Sequence, residues 1–439
     1  MNGARQPDMP LAGTAGPPPM FAAARRHALA ALGPFTIAGA HFLASILFLK
    51  AAAPAAFGIF AFVLVAVPFW LGISVALLGA PLATTRQRQG GADDWHELPT
   101  LLKANLLFSL VAAAAVAITM AASGADWTAA GLFGVYGGVM CLRWFARWLA
   151  YATDHPLRAV LSDIAYGVPL VAGLAALTAF HALTIAGAAV VLCISAGVGL
   201  AVFGSDFLIP QLRAVRDGSL AAYAPIWRDL TQWALLGIVT SELSVNAHAY
   251  LVTFFDGPKA FALIAAGSLF MRPVQLCLTA LPDRERPLMV RTLMNGDSAG
   301  TKRSLREFRS AAAAIWVLTL ALSAVALAWF PHAILKADYG LRDILIVVAL
   351  WAAIMAVRAW RTPEAVLLQA AREFRSLASA SVISSVVALT TTAALLLLFG
   401  PVASLGGILI GDLVLTERVF ALARRWKHDQ GWSPAVARA

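Results

Sequence analysis

Six polar side chains crowd one apolar stretch of this sequence, residues 233–254. Glu242 follows the start of the stretch by nine residues, about 13 Å along a helix that rises 1.5 Å per residue. Asn246 comes four residues later and shares its face. This pattern is typical of a hydrated surface where a carboxylate meets a coupling ion or a substrate, and equally of hydrogen bonding that only joins neighbouring helices. The six residues are Thr240, Ser241, Glu242, Ser244, Asn246 and His248.

Two further groups with possible chemistry lie inside apolar stretches. Arg272 precedes Pro273 within residues 260–281, and proline loosens a helix locally. A guanidinium presents a forked donor that suits a phosphate, so we predict that Arg272 contacts an anionic substrate. His41, one helical turn before Ser45, is either a second cavity group or a structural histidine.

Other basic residues stand near the ends of apolar stretches. Arg358 ends one of them, and we predict that it helps Arg272 to bind an anion. Arg143 and Arg147 lie near the end of the stretch 127–149. Two interpretations stay open for them: substrate contact, or extension of their long side chains to the membrane surface. Asp412 is an acid within the last stretch, and an ion pair or a misplaced boundary explains it equally well.

About twelve apolar stretches, each of roughly 20 residues, must position these groups, and this length crosses a ~30 Å hydrocarbon core as a helix. The chain is 60% hydrophobic and 13% charged, whereas soluble domains have about 25% charged residues. The sequence therefore predicts an all-α polytopic membrane protein. The predicted spans 1–12 are 28–49, 57–82, 101–120, 127–149, 160–180, 183–203, 233–254, 260–281, 311–330, 342–360, 377–398 and 401–419.

Positive charge is distributed unevenly between the two ends of these spans. With the N-terminus placed in the cytoplasm, 28 of the 33 Lys and Arg residues fall in or beside cytoplasmic segments. Basic residues are retained on that side, so we predict a multi-pass protein of the bacterial inner membrane with both termini inside. The net charge of +10 then reflects topology and contact with anionic lipid rather than nucleic acid.

The predicted spans divide the chain into two sets of six. Because six is even, both sets start in the cytoplasm and form parallel repeats. The fragments 53–57 (APAAF) and 257–261 (GPKAF) occupy equivalent turns and support a duplication. We predict a disordered cytoplasmic N-terminus (1–27), an N-lobe (28–203), an interfacial amphipathic linker (204–232), a C-lobe (233–422) and a cytoplasmic tail (423–439).

Several short segments of this chain resemble Wzx-type polysaccharide flippases of the multidrug/oligosaccharidyl-lipid/polysaccharide exporter superfamily. The resemblance covers roughly residues 28–425. It rests on helix number, loop rhythm and the segments 57–60 (FGIF), 79–82 (GAPL), 143–147 (RWFAR), 156–158 (PLR), 361–363 (RTP) and 368–370 (LQA). It implies about 12 transmembrane helices in two six-helix lobes around a central cavity that spans 1 and 7 line.

The resemblance implies translocation of a lipid-linked oligosaccharide by alternating access during exopolysaccharide or surface-polysaccharide biosynthesis. Partners would be that substrate, membrane lipids and polymerase or export machinery. Two other functions stay open, an ion-coupled exporter of small amphiphiles that uses Glu242, and a non-transporting scaffold of a polysaccharide assembly complex. We expect no enzyme and no catalytic residue, because the sequence has no large external loop of the kind that membrane glycan polymerases and ligases use to hold substrate. Without a Walker motif, ATP is not the direct energy source. We expect no cofactor, and no metal, since the three cysteines have no metal-ligand spacing.

Overall fold

The computed structural model of this protein describes residues 20–83, 96–330 and 339–429, and these residues form helices and short connections without a strand. Helix α2 continues through a π-helical turn, Val75–Gly79, to residue 83. The helices are α1 Met20–Ala51, α2 Pro54–Ser74, α3 Leu98–Ala122, α4 Trp127–Ala152, α5 Pro156–Ala179, α6 Ile185–Ala201, α7 Ser205–Asp217, α8 Gln232–Phe255, α9 Pro258–Phe270, α10 Arg272–Met294, α11 Ser298–Trp329, α12 Leu341–Ala370, α13 Phe374–Phe399 and α14 Ser404–Asp429.

Helix starts follow from the residues that precede them. Proline, which has no amide hydrogen to leave unpaired, occupies the first position of α2, α5 and α9. The side chain of Asp126 accepts a hydrogen bond of 3.0 Å from the Ala129 amide and caps α4. The Asp297 carboxylate does the same for α11.

The described helices account for the predicted spans. Eight are long and apolar enough to cross a membrane, and three more spans are bent by more than 40°. The remaining helix, α14, is long enough but carries Asp412, Glu417 and Arg418 in its apolar part. These twelve segments confirm the predicted all-α polytopic membrane fold.

The helices pack as two lobes. In the first, α1 packs on α5, α3 on α4, and α6 on both α4 and α5. In the second, α13 packs on α14 and α8, and α12 packs on α10, α11 and α14. Helix α2 joins the lobes, because it contacts both α8 and α9. The polar residues of α1 and α8 are thereby placed beside the boundary between the lobes.

The α1–α2 and α8–α9 turns, which carry the similar fragments 53–57 and 257–261, lie at this boundary. Gly58 on α2 lies directly against Pro258 at the start of α9, and a Cβ at position 58 would overlap the Pro258 carbonyl group. Beside this contact, the Phe62 ring stands edge-on to Tyr250 at 5.4 Å between ring centroids and to Phe261 at 6.1 Å. The lobes are therefore closed at the end that the charge distribution predicts to be external.

Three breaks in the helices position the candidate functional residues. Helices α6 and α7 meet at 99°, where Gly204 has a positive φ of 64° that a side chain would strain. The parts of α8 at 234–240 and 245–255 meet at 59°, so Glu242 lies in the bend. Helices α9 and α10 meet at 61° beside Pro273, which places Arg272 at a break within predicted span 8.

Two predicted segments need comment. Helix α1 begins at Met20 and so includes residues 20–27 of the segment 1–27 that we predict to be disordered. Alanine and arginine, which are frequent in these eight residues, favour a helix. Residues 1–19 and 430–439 lie outside the described residues. The division of the chain at 204–232 stays a prediction, with α7 and a short helical run over 221–231 in this region.

Candidate functional site

Arg272 and His41 face each other across the boundary between the lobes. Arg272 begins α10, and its Nη1 donates a hydrogen bond of 3.0 Å to Gln275 Oε1. Within the described part of the chain, no carboxylate lies within 4.0 Å of the Arg272 guanidinium. His41 on α1 is near enough to interact with Arg272 electrostatically. Among the described residues, Arg272 is therefore a cation at the lobe boundary that makes no ion pair, as expected of a group that binds an anion.

An apolar groove with a volume of about 220 Å³ lies between α1 and the helices α9, α10 and α11. Phe42 and Ile46 of α1 form one wall, and Pro273 of α10 with residues of α9 and α11 forms the other. Phe42 and Pro273 directly follow His41 and Arg272 in the sequence. The residues that follow His41 and Arg272 thus line the groove, although the two polar side chains are not themselves among its lining residues.

A chain of hydrogen bonds leads from His41 into the first lobe. His41 Nε2 and the Tyr166 hydroxyl are 2.6 Å apart, and the Tyr166 and Tyr136 hydroxyls are 2.9 Å apart. Tyr166 on α5 and Tyr136 on α4 are both buried. These bonds fix the orientation of the imidazole at the lobe boundary.

Arg143 and Arg147 both donate hydrogen bonds to the buried carboxylate of Asp163. Arg143 on α4 donates hydrogen bonds to Asp163 Oδ1 and, at 2.9 Å, to Ser162 Oγ on α5. Arg147 Nη2 donates to Asp163 Oδ2 at 2.9 Å. The side-chain exposures of Arg143, Arg147 and Asp163 are 0%, 5% and 0%. The alternative in which the two arginines extend to the membrane surface is therefore wrong, because the aspartate draws them into the lobe.

The second lobe repeats this arrangement with other helices. Arg358 Nε donates to Asp412 Oδ2 at 2.8 Å, and Arg361 Nη1 donates to Asp412 Oδ1 at 2.6 Å. Both arginines come from α12, which is predicted span 10. In a duplicated chain of two six-span halves, span 10 corresponds to span 4, which is α4. The aspartate comes from α14, whereas Asp163 comes from α5. Of the two interpretations of Asp412, the structure supports the ion pair.

Glu242 and Asn246 form a pair on α8. Asn246 Nδ2 donates a hydrogen bond of 2.9 Å to Glu242 Oε2, as their four-residue spacing allows. Gly72 of α2 lies opposite, where an added Cβ would be 3.9 Å from Glu242 Cγ. No Lys or Arg nitrogen in the described ranges lies within 4.0 Å of the Glu242 carboxylate. The pair thus lies at the lobe boundary.

His248 takes a different place from the other residues of α8. Its side chain is 4% exposed, and its ring stands edge-on to Trp351 with 5.4 Å between ring centroids. Its Nδ1 atom has no hydrogen-bond partner among the described residues. The structure thus places His248 inside the second lobe, behind the face on which Glu242 and Asn246 lie.

The candidate residues therefore fall into two groups. His41, Arg272, Glu242 and Asn246 lie beside the lobe boundary, whereas Arg143, Arg147, Arg358 and His248 lie within the lobes. Direct substrate contact by this second group stays a prediction. Asp163 was not among the residues selected from the sequence, although it occupies the fourth position of a predicted span. An acid inside a span is itself a signal of a buried partner or a functional site.

Comparison with known proteins identifies the fold. No protein-family model and no curated protein matches this sequence. Solved structures of transporters do match. An inward-facing MATE multidrug transporter of the MOP superfamily aligns with a TM-score of 0.68 and 13% identity over 91% of this chain and 96% of its own. The lipid II flippase MurJ, in an inward closed conformation, aligns with a TM-score of 0.68 and 12% identity over 90% of this chain and 87% of its own.

A third match shows how far this likeness extends. A MOP superfamily transporter from Pyrococcus furiosus, whose binding pocket of reverse polarity suggests a different function, aligns with a TM-score of 0.57 and 14% identity over 93% of this chain and 96% of its own. The chain therefore has the fold of these solved structures, with its helices in two lobes. Because proteins with this fold have pockets of different polarity, the substrate must be inferred from this chain's own residues.

Proposed function

We propose that this protein moves an anionic lipid-linked oligosaccharide across the bacterial inner membrane, from the cytoplasmic to the external leaflet, during exopolysaccharide or surface-polysaccharide assembly. The observation that carries the proposal is the position of Arg272, a cation without a carboxylate within 4.0 Å in the described residues, directly before Pro273, which lines an apolar groove. Keeping an arginine within a span costs at least ~2.5 kcal/mol on insertion scales, so a ligand for it is expected.

The two parts of such a substrate match the two parts of the site. Its phosphate binds the forked guanidinium of Arg272, and His41, held by Tyr166, lies on the opposite side. Its lipid tail follows the groove beside Phe42 and Pro273 towards the bilayer, while the glycan occupies the space between the lobes. Rocking of the lobes then exposes the head group on the other side.

The same geometry favours this substrate over a small amphiphile exported by ion coupling. Such an exporter needs a dominant acidic site, for which Glu242 with Asn246 is the candidate. A flippase needs a cation for the phosphate, and Arg272 supplies one. The additional cations Arg143, Arg147 and Arg358 are neutralised in part by aspartates, so Arg272 is the cation that we assign to the phosphate.

Substitution of Arg272 tests the proposal in a strain from which the native gene has been deleted. Loss of a charge-assisted hydrogen bond costs about 1.5–3 kcal/mol, so Arg272→Ala should lower polysaccharide export roughly ten- to hundred-fold and cause lipid-linked oligosaccharide to accumulate. Arg272→Lys should restore export only in part, because an ammonium cannot form the bidentate contact. The matched control is Arg291→Ala, an exposed arginine on the same helix.

The amount of protein in the membrane is measured for every variant. Normal export by Arg272→Ala at normal abundance would contradict the assignment of Arg272. A deletion strain that accumulates no lipid-linked oligosaccharide would contradict the flippase and favour the small-amphiphile exporter. Accumulation that every membrane-inserted variant relieves equally would instead favour the scaffold.

A further inference from the structure

A second groove lies between α11 and α12, on the outer surface of the second lobe and away from the lobe boundary. Its volume is about 310 Å³, within the range of ~300–1,000 Å³ that is usual for ligand pockets. Helix α11 supplies one wall at positions 309, 313 and 316, and α12 supplies the other at 356, 359 and 360. These spacings of three and four residues place each set on one helix face.

Three alanines and two tryptophans supply the apolar lining of the groove: Ala313, Ala356, Ala359, Trp316 and Trp360. Trp316 Nε1 already donates a hydrogen bond of 2.9 Å to the Ala352 carbonyl oxygen, so its ring is held in place. The Trp360 ring packs on Phe420 with 5.2 Å between ring centroids and is 64% exposed. The groove is therefore a preformed apolar slot that opens to the membrane.

Positive charge accumulates at one end of the groove. The buried carboxylate of Glu364 accepts a hydrogen bond from Arg309 and another, of 2.8 Å, from Lys427 Nζ. Two cations thus share one anion, and the cluster carries a net positive charge. Burial and the neighbouring Arg309 guanidinium lower the pKa of Lys427 to about 8. Arg309 remains 43% exposed and lines the groove.

We propose that this groove binds an anionic phospholipid from the leaflet on the cytoplasmic side. The phosphate contacts Arg309, and an acyl chain lies in the groove against its alanines and its two tryptophan rings. Charge complementarity identifies the occupant, since the excess positive charge stands beside an apolar slot at the end of the molecule where basic residues of α10 and α11 flank their connection, among them Arg291, Arg303 and Arg306. Tryptophan is the residue that membrane proteins concentrate at this depth.

Native mass spectrometry of the purified full-length protein tests the site. The protein is titrated with phosphatidylglycerol or phosphatidylcholine of the same acyl composition. We expect tighter binding of phosphatidylglycerol, and about a five-fold loss of that preference in Arg309→Ala, since one basic residue near a membrane surface contributes about that factor. The matched control is Arg306→Ala, an exposed arginine one turn away on α11.

A second variant tests the groove without changing its charge. Ala313 is exposed and lines the groove, so Ala313→Leu fills the slot without entering the protein core. It should weaken binding of both lipids, whereas Ala314→Leu, at the exposed position next to it on the same helix, should bind like the unmodified protein. Equal affinity for the two lipids, or identical binding by the two leucine variants, would overturn the proposal. So would a stable dimer that loses its partner in Ala313→Leu while lipid binding stays unchanged.

Discussion

Replacing Asp163 with asparagine removes the carboxylate that pairs with two buried arginines. The side chains of Arg143 and Asp163 are fully buried, and that of Arg147 is 5% exposed. Asparagine keeps the shape and can accept one hydrogen bond, but both guanidiniums then remain buried without a counter-charge. Removing one partner from a buried ion pair costs about 3–5 kcal/mol, because the other charge stays desolvated.

This free energy converts into a measurable change in melting temperature. At about 2.1 cal/mol/K per residue, a chain of 439 residues has an unfolding entropy of about 0.9 kcal/mol/K, so Asp163→Asn should lower Tm by roughly 3–5 °C. Arg143 keeps its hydrogen bond of 2.9 Å to Ser162 and its position over the Tyr166 ring. We therefore expect asparagine to give the lower part of the range and alanine the upper part. Fluorescence-detected size-exclusion chromatography after heating measures both.

Asp206 provides a matched control, since it also forms an ion pair with an arginine, but on the surface of the protein instead of in its interior. Its carboxylate lies 2.9 Å from Arg158 Nη1, but the two side chains are 68% and 45% exposed. An exposed pair contributes only about 0–1 kcal/mol, so Asp206→Asn should leave Tm almost unchanged. The contrast between the two variants measures burial rather than the loss of an aspartate.

A double-mutant cycle tests the cause of the destabilisation. If unbalanced positive charge is responsible, Arg147→Met should destabilise the Asp163→Asn variant much less than it destabilises the unmodified protein. An unchanged Tm in Asp163→Asn, or an equal cost of Arg147→Met in both backgrounds, would refute the reasoning.

Three further predictions concern the lobe boundary and the topology. Gly58→Ala should separate α2 from α9 and lower transport. Gly39→Ala, where a Cβ meets nothing within 4 Å, should change neither the helix separation nor transport. Disulfide cross-linking between cysteines introduced on α2 and α9 measures the separation. Reporter fusions after Asp256 should be external and fusions after Asp297 cytoplasmic, and the opposite result would invert the predicted orientation. Glu242→Gln should make transport insensitive to the proton gradient if Glu242 couples transport to protons, and normal gradient dependence at normal abundance would leave it only a packing role.

Parts of the candidate site could be predicted from local spacing alone. Asn246 follows Glu242 by four residues, and their side chains do form a hydrogen bond. Arg272 precedes a proline within an apolar stretch, and the chain does break there. These predictions succeed because helical periodicity and the geometry of proline act within one or two turns.

Contacts between distant helices were beyond that reasoning. Arg143 and Asp163 are twenty residues apart, and Arg358 and Asp412 are fifty-four residues apart. Whether a basic residue near the end of a span reaches the membrane surface or turns inward depends on whether another helix brings a carboxylate to it. Nothing in the local sequence around Arg143 distinguishes these outcomes.

The sequence by itself determined the number of membrane segments and the helical class, because a bilayer requires every spanning backbone to satisfy its own hydrogen bonds and to be about 20 apolar residues long. Only the tertiary structure decided which charges are paired. Packing of α5 on α4 and of α14 on α12 brings Asp163 and Asp412 to their arginines, while Arg272 remains without a carboxylate within 4.0 Å in the described residues. That difference arises from the burial of particular helix faces against each other, and it distinguishes cations that are paired with a carboxylate inside a lobe from one that has no such partner among the described residues.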